Sequence, residues 1–282
     1  MDSSQKIQGG CRGIDPEAVH FSQTDLCDCV LYLLMSKNQI PTVIPRVEHQ
    51  KSHKEFLYAA EPDAAMMNLI HAHRVVKNGG NANSYFPDKT TVIVTSTIPD
   101  NKLDMYSWER ERDVIMDFKP DYHIPTDYPV YADMEREERI NNIKKLVEGT
   151  VWMLNELPDE ITILPLVKGY SVAERNMCYS LCKKLGSGAG VYYGTQYFTQ
   201  SQGPYALFDD LKTINEESNL KLLLIGLLST YYLPKVPSNV VSVAGQNQWI
   251  KAVEPRNTDS INMWAKYNQF VLDIQAALEK RE

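Results

Sequence analysis

The stretch Ile161-Thr162-Ile163-Leu164-Pro165-Leu166-Val167-Lys168-Gly169-Tyr170-Ser171-Val172-Ala173-Glu174 is apolar and rich in β-branched residues in its first half. That is the pattern of a strand buried on both faces. Ser171 and Glu174 then form a capping box, each able to satisfy a free N–H at a helix start. Gly186 is placed to end that helix in a left-handed cap. The unit is strand, short loop, helix, and it repeats in both directions. Towards the C-terminus, strands are expected at 190–194, 221–228 and 239–243, with a helix near 205–216. A last helix over 258–279 should carry Trp264, Tyr267, Val271, Ile274 and Leu278 inward. Towards the N-terminus, Asp133 opens a long helix whose Ile140, Ile143, Leu146, Val147, Val151 and Leu154 keep a 3.6-residue period. Before it come a strand at 121–126, a helix that Ser107 caps and Phe118 ends, and the strand Thr91-Val92-Ile93-Val94-Thr95. Thr42-Val43-Ile44-Pro45-Arg46-Val47 adds a strand, followed by a helix over 62–77 that Asn78-Gly79-Gly80 stops.

Strict β–α alternation implies a parallel sheet. Seven or eight repeats in about 280 residues fit a (β/α)8 TIM-type barrel, with an open doubly wound sheet as the second choice. No repeat, low-complexity tract or linker divides the chain, so residues 1–282 read as one domain whose first forty residues are less regular.

The 282 residues carry 29 Lys+Arg against 36 Asp+Glu, a net charge of −7, and 43% are hydrophobic. A disordered chain is excluded by that balance. The longest apolar run, 220–233, contains Lys221, Ser229 and Thr230 and falls short of a membrane span. The first residues, Met1-Asp2-Ser3-Ser4-Gln5-Lys6, lack the order of a signal peptide, so the expected setting is cytoplasmic, away from membranes. An acidic chain has no global field for a phosphate backbone. The pairs Lys144-Lys145 and Lys183-Lys184 read first as solvated helix ends.

In a barrel, chemistry gathers at the C-terminal ends of the strands. Those ends hold Ser96 and Asp100, Asp127, Lys168, Gly194 with Gln196, Gly226, and Gln246 with Asn247. Loops are polar in any case, so position alone is weak evidence. Asp127 differs because Pro125, Tyr128 and Pro129 box it in. A fixed carboxylate can accept two N–H groups at once, the edge that a guanine-like base presents. Cys27-Asp28-Cys29 with His49 and His53 lacks a third thiolate, and Cys178 and Cys182 share one helix face, where burial explains them. Neither a metal nor a cofactor is expected.

Ser107-Trp108-Glu109-Arg110, then Pro120-Asp121-Tyr122-His123-Ile124-Pro125-Thr126-Asp127-Tyr128-Pro129, then Met134-Glu135-Arg136 keep an order and spacing that resemble the tRNA-guanine transglycosylase family. Leu166-Val167-Lys168-Gly169-Tyr170-Ser171 is similar to that family's Q-G-S strand end, Val191-Tyr192-Tyr193-Gly194 to its G-G-L, and Leu224-Ile225-Gly226 to its M-G-V-G. The resemblance implies that Asp127, Lys168, Gly194 and Gly226 bind guanine or a 7-deazaguanine. It implies that Ser96 and Asp100, and Gln246 and Asn247, occupy the catalytic positions. Both catalytic positions carry an aspartate in the family, whereas this chain has Val94-Thr95-Ser96-Thr97, with Asp100 a few residues on, and Val240-Val241-Ser242-Val243-Ala244-Gly245-Gln246-Asn247, with no carboxylate. The family's C-terminal zinc motif is missing as well. The implied function is exchange of a purine or 7-deazaguanine base in DNA or tRNA, or binding of that base by a non-catalytic relative or partner subunit. An unrelated barrel enzyme is the remaining alternative, and homo- or hetero-oligomeric assembly stays open. The strand tips near 96, 127, 168, 194, 226 and 246 are expected to converge on one pocket.

Overall fold

The computed structural model describes residues 40–198 and 203–281. Cys27 and Cys29, and the expected irregularity of nearly all the first forty residues, lie outside them. Eight strands run in chain order: β1 Val43–Val47, β2 Ala64–Asn68, β3 Thr91–Thr95, β4 Tyr122–Ile124, β5 Thr162–Ile163, β6 Ala189–Tyr193, β7 Lys221–Ile225 and β8 Val240–Gly245. The helices are α1 Lys51–Ala60, α2 Leu69–Lys77, α3 Ala82–Tyr85, α4 Asp100–Leu103, α5 Trp108–Phe118, α6 Arg136–Glu156, α7 Val172–Lys184, α8 Gly203–Glu217, α9 Asn247–Val253 and α10 Ser260–Glu279.

All eight strands are parallel and form one curled sheet in the order β5-β4-β3-β2-β1-β8-β7-β6. That is the cyclic order of a (β/α)8 fold cut between β5 and β6. The closed barrel expected from the sequence is not formed; the sheet is a curled half-barrel. Its two edges meet through a single bridge, Leu166 to Val191, with Val167 N–H donating to Val191 O at 2.8 Å and Val191 N–H to Pro165 O at 2.9 Å. Pro165 has no N–H to extend this ladder, and β5 pairs with β4 through only two residues,.

Most strand positions are buried because helices cover the sheet, which is why the strands read as continuous apolar runs,. Ser107 and Ser171 cap α5 and α7, accepting from the N–H of Arg110 and Glu174, each at 3.3 Å. Gly186 takes the left-handed conformation at φ 60° that was expected of it.

Three expectations need correction. The helix expected over 62–77 is split, since Ala64–Asn68 is β2 and only Leu69–Lys77 is helical, while α1 precedes both. Alanine and methionine favour helix locally, but pairing with β1 and β3 overrides a propensity worth less than about 1 kcal/mol per residue,. Trp264 is 55% exposed rather than inward, while Tyr267, Ile274 and Leu278 of the same helix are buried. Leu154, expected on the apolar face of α6, is exposed too. Among the described residues no helix is long and apolar enough to cross a membrane.

Candidate functional site

Because every strand is parallel, all eight C-terminal ends open on one side of the sheet. Behind β3 and β4 a carboxylate fixes two of them. Glu111 of α5 is buried, and its Oε1 receives Ser96 Oγ at 2.5 Å, Thr126 N–H at 3.0 Å and His123 Nε2 at 2.8 Å. The other ring nitrogen of His123 lies 3.2 Å from the Val94 carbonyl. Ser96, one of the expected catalytic positions, is therefore turned into the helix layer and away from the mouth.

Thr126 is held in the left-handed region, at φ 47°. Its hydroxyl donates to Leu146 O at 3.2 Å, and a Cβ on Gly149 of α6 would come within 2.8 Å of its side chain. Glycine at 149 is what lets α6 approach so closely. This fastening aims the next residue, Asp127.

Asp127 forms an ion pair with Lys168 from the segment between β5 and α7, and the two side chains are only 8% and 11% exposed. Lys168 Nζ also donates to Tyr128 O at 2.7 Å. Burial pushes the Asp127 carboxyl above its ordinary range, with the Lys168 ammonium opposing that shift and Asp100 adding to it,. Asp100 itself accepts the Tyr131 hydroxyl through both oxygens, at 2.9 and 3.0 Å. A residue at an open strand mouth would contribute little to stability, but Asp127 is enclosed and paired, so its removal affects the fold as well as any ligand.

Beside this pair lies a cavity of about 10 Å³ lined by Lys168, Gly169, Tyr170, Tyr192, Tyr193 and Gln196, among others. That is room for a single water. Tyr192 and Tyr197 share a 2.7 Å hydroxyl contact and both donate to Asp210 behind it, and burial raises both phenols.

Gln246, at the tip of β8, donates from Nε2 to Glu48 Oε1 at 2.8 Å, and Gln50 donates to the other Glu48 oxygen at 3.0 Å. Glu48 follows β1 directly, is 38% exposed, and lies 4.0 Å from His71 Nε2. Its backbone N–H donates to His53 Nδ1 at 2.9 Å. His53 can accept because burial pulls its pKa down to about 4 and keeps the ring neutral. Two residues before Glu48, on the same face of β1, Arg46 is lowered in pKa by burial, with Tyr193 of β6 and Glu48 opposing that shift. Strands β1 and β6 are separated by β8 and β7, so this influence reaches across the curl of the sheet.

The expected positions thus divide. Asp127 and Lys168 meet, Gln246 meets Glu48, and Tyr193 lines the cavity beside the first pair. Gly194 and Gly226 are accounted for by packing, because a Cβ on Gly194 would press on Leu207 and one on Gly226, at φ 108°, would collide with Thr195. Asn247 opens α9 and is exposed. Cys178 and Cys182 are buried free thiols, pushed by burial to about 11 and about 12, so neither is a ready nucleophile,. Among the described residues no cluster of three or more His, Cys, Asp or Glu could hold a metal ion. Arg46, Glu48 and His71 were not singled out from the sequence. The available signal was two charges, Arg46 and Glu48, at period-two spacing in and just after an apolar strand. Compared with known proteins, the chain matches no family model and no curated protein.

Proposed function

We propose that the protein is a divergent (β/α)8 relative of the tRNA-guanine transglycosylases that recognises guanine or a 7-deazaguanine and exchanges the base in DNA or tRNA, in the cytoplasm and without a cofactor. The observation that carries the reading is the pair of carboxylates in the loops beyond the strand ends, Asp127 after β4 and Glu48 after β1. Asp127 is rigidly aimed and suits the N–H edge of a guanine. Glu48 stands one hydrogen bond from Gln246, the position at which the family's nucleophile is missing. In this reading a Glu48 oxygen bonds to the sugar C1′ while the C1′–N9 bond breaks, its electron pair leaving with the outgoing base. The outgoing base takes up a proton from water as it departs, and the incoming base then displaces Glu48 through its own N9, releasing its N9 proton to water and the Glu48 carboxylate in its original form.

A second reading rests on the Asp127–Lys168 pair and the one-water cavity beside it. A base would have to displace Lys168 to reach the carboxylate, and a protein that does so without exchange is a base-binding subunit. Incubation with labelled guanine or 7-deazaguanine, with and without tRNA or duplex DNA, separates the two. Label entering the polymer supports exchange; saturable binding without incorporation supports the subunit; the absence of both binding and incorporation overturns the transglycosylase reading.

A further inference from the structure

The N-terminal ends of β3 and β4, opposite the end that leads to Asp127, border a second cavity. It measures about 150 Å³, against about 10 Å³ for the one beside Lys168. Its walls come from the loop between α3 and β3 and the loop between α5 and β4, and include Phe86, Asp88, Lys89, Thr90, Lys119 and Asp121. Thr90 and Asp121 each stand one residue before a strand, so the parallel sheet separates this cavity from the loops that carry Asp127 and Glu48.

Two features set it apart from an ordinary surface hollow. Thr90 is 6% exposed, and its hydroxyl oxygen has no hydrogen-bond partner in the protein. A hydroxyl is rarely buried in that state, because nothing then offsets its loss of water. The charges around it are unpaired as well. Among the described residues none of Asp88, Lys89, Lys119 and Asp121 enters an ion pair, so cations and anions share the rim without neutralising one another. The frame that holds them is fixed. Thr90 N–H donates to Pro87 O at 3.0 Å and Thr91 N–H to Asp63 O at 2.9 Å. Asp121 N–H donates to Val92 O at 3.0 Å, and Asp121 Oδ2 accepts the Val92 N–H at 2.8 Å.

A ligand that completes these walls must accept the Thr90 O–H, bring negative charge to the lysines and bring positive charge to the aspartates. A simple oxyanion suits Lys89 and Lys119 but is repelled by Asp88 and Asp121, and a simple cation has the opposite fault. A zwitterion meets both signs. An α-amino acid carries its carboxylate and its ammonium on one carbon, and a cavity of about 150 Å³, which in an apolar core admits benzene, has room for a small one,. We propose that this cavity binds a small zwitterionic α-amino acid, with the carboxylate towards Thr90 and the lysines and the ammonium towards the aspartates. The proposal is independent of base exchange, since it uses none of the residues invoked there.

The test measures melting temperature and binding heat of the full chain with L-serine, L-alanine, L-lactate, L-alaninamide and inorganic phosphate. Serine or alanine should raise the wild-type melting temperature with concentration. Lactate lacks the ammonium and alaninamide the carboxylate, so each should bind about tenfold more weakly. Thr90→Val keeps the shape and should melt no lower than wild type without ligand, because the hydroxyl it removes has no partner. The same variant should lose about tenfold in amino-acid affinity. Asp121→Asn can still accept the Val92 N–H, and should weaken serine while leaving lactate unaffected. Lactate or phosphate binding as tightly as serine would reduce the cavity to an oxyanion groove and overturn the proposal. Binding of neither amino acid by wild type overturns it, as does unchanged affinity in Thr90→Val, whatever that variant's melting temperature.

Discussion

Glu111 and Glu48 are carboxylates in one small fold, and their surroundings could hardly differ more. Glu111 is sealed between α5 and strands β3 and β4, and one of its oxygens receives three donors. Glu48 stands 38% exposed at the open end of β1, held by two amides and facing a histidine 4.0 Å away. The first arrangement is closed: each donor is consumed in fixing strand tips. The second keeps access to solvent. A buried polar group with all its partners builds a frame; one with partners left over at a mouth is available for a ligand.

If Glu111 is the frame, its removal should have the largest effect of any change considered. Glu111→Ala strands Ser96, the Thr126 N–H and the His123 ring in the interior, and breaking such a buried network costs about 3–5 kcal/mol. Urea titration should register that loss in the midpoint, and a loss below about 1 kcal/mol would place Glu111 with Glu48 as a replaceable group.

The Glu48 side has its own structural support in His53, and pH reveals it. The folded-state pKa of His53, about 4, lies below its ordinary value of 6.5. The neutral ring therefore contributes stability above pH 6.5 that is lost as pH falls towards 4. The full shift corresponds to on the order of 3 kcal/mol. His53→Gln, which can still accept the Glu48 N–H, should flatten this part of the stability–pH curve. An unchanged slope would show that another group titrates there.

Asp127 joins the two regions, since Glu111 fixes the residue before it and Lys168 covers it. Its pKa is raised in the folded state, so the contribution of this carboxyl is greatest below its unfolded value near 3.8 and declines as pH rises through the folded value,. Asp127→Asn should therefore gain on wild type in melting temperature as pH rises above about 4. Its affinity for guanine should fall roughly 5- to 150-fold, the effect of about 1–3 kcal/mol for one unpaired buried group. A melting-temperature difference that does not vary with pH would contradict the burial argument, and an unchanged affinity would leave Asp127 purely structural.

The readable parts of this fold are those whose cause lies within a few residues. The caps at Ser107 and Ser171, the stop at Gly186 and the strand Thr91–Thr95 each follow from neighbours in the chain. The strand β2 does not, since Ala64-Ala65-Met66-Met67 is extended only because β1 and β3 receive it on either side. The same division runs through the site. Asp127 was noticed because local prolines and tyrosines confine it, whereas Glu48 acquires meaning only where β1 meets β8.

The sequence by itself determined the alternation of strand and helix, hence a parallel sheet with all its loops of chemical interest on one side. Periodicity and capping act over three or four residues and are written in the chain. Only the tertiary structure decided that the sheet stays open between β5 and β6, where Pro165 offers no N–H and β5 is two residues long. It alone decided that Lys168 spends its charge on Asp127 and that Gln246 meets Glu48. Which charge finds a partner depends on distances between residues tens of positions apart, and those exist only once the sheet has curled.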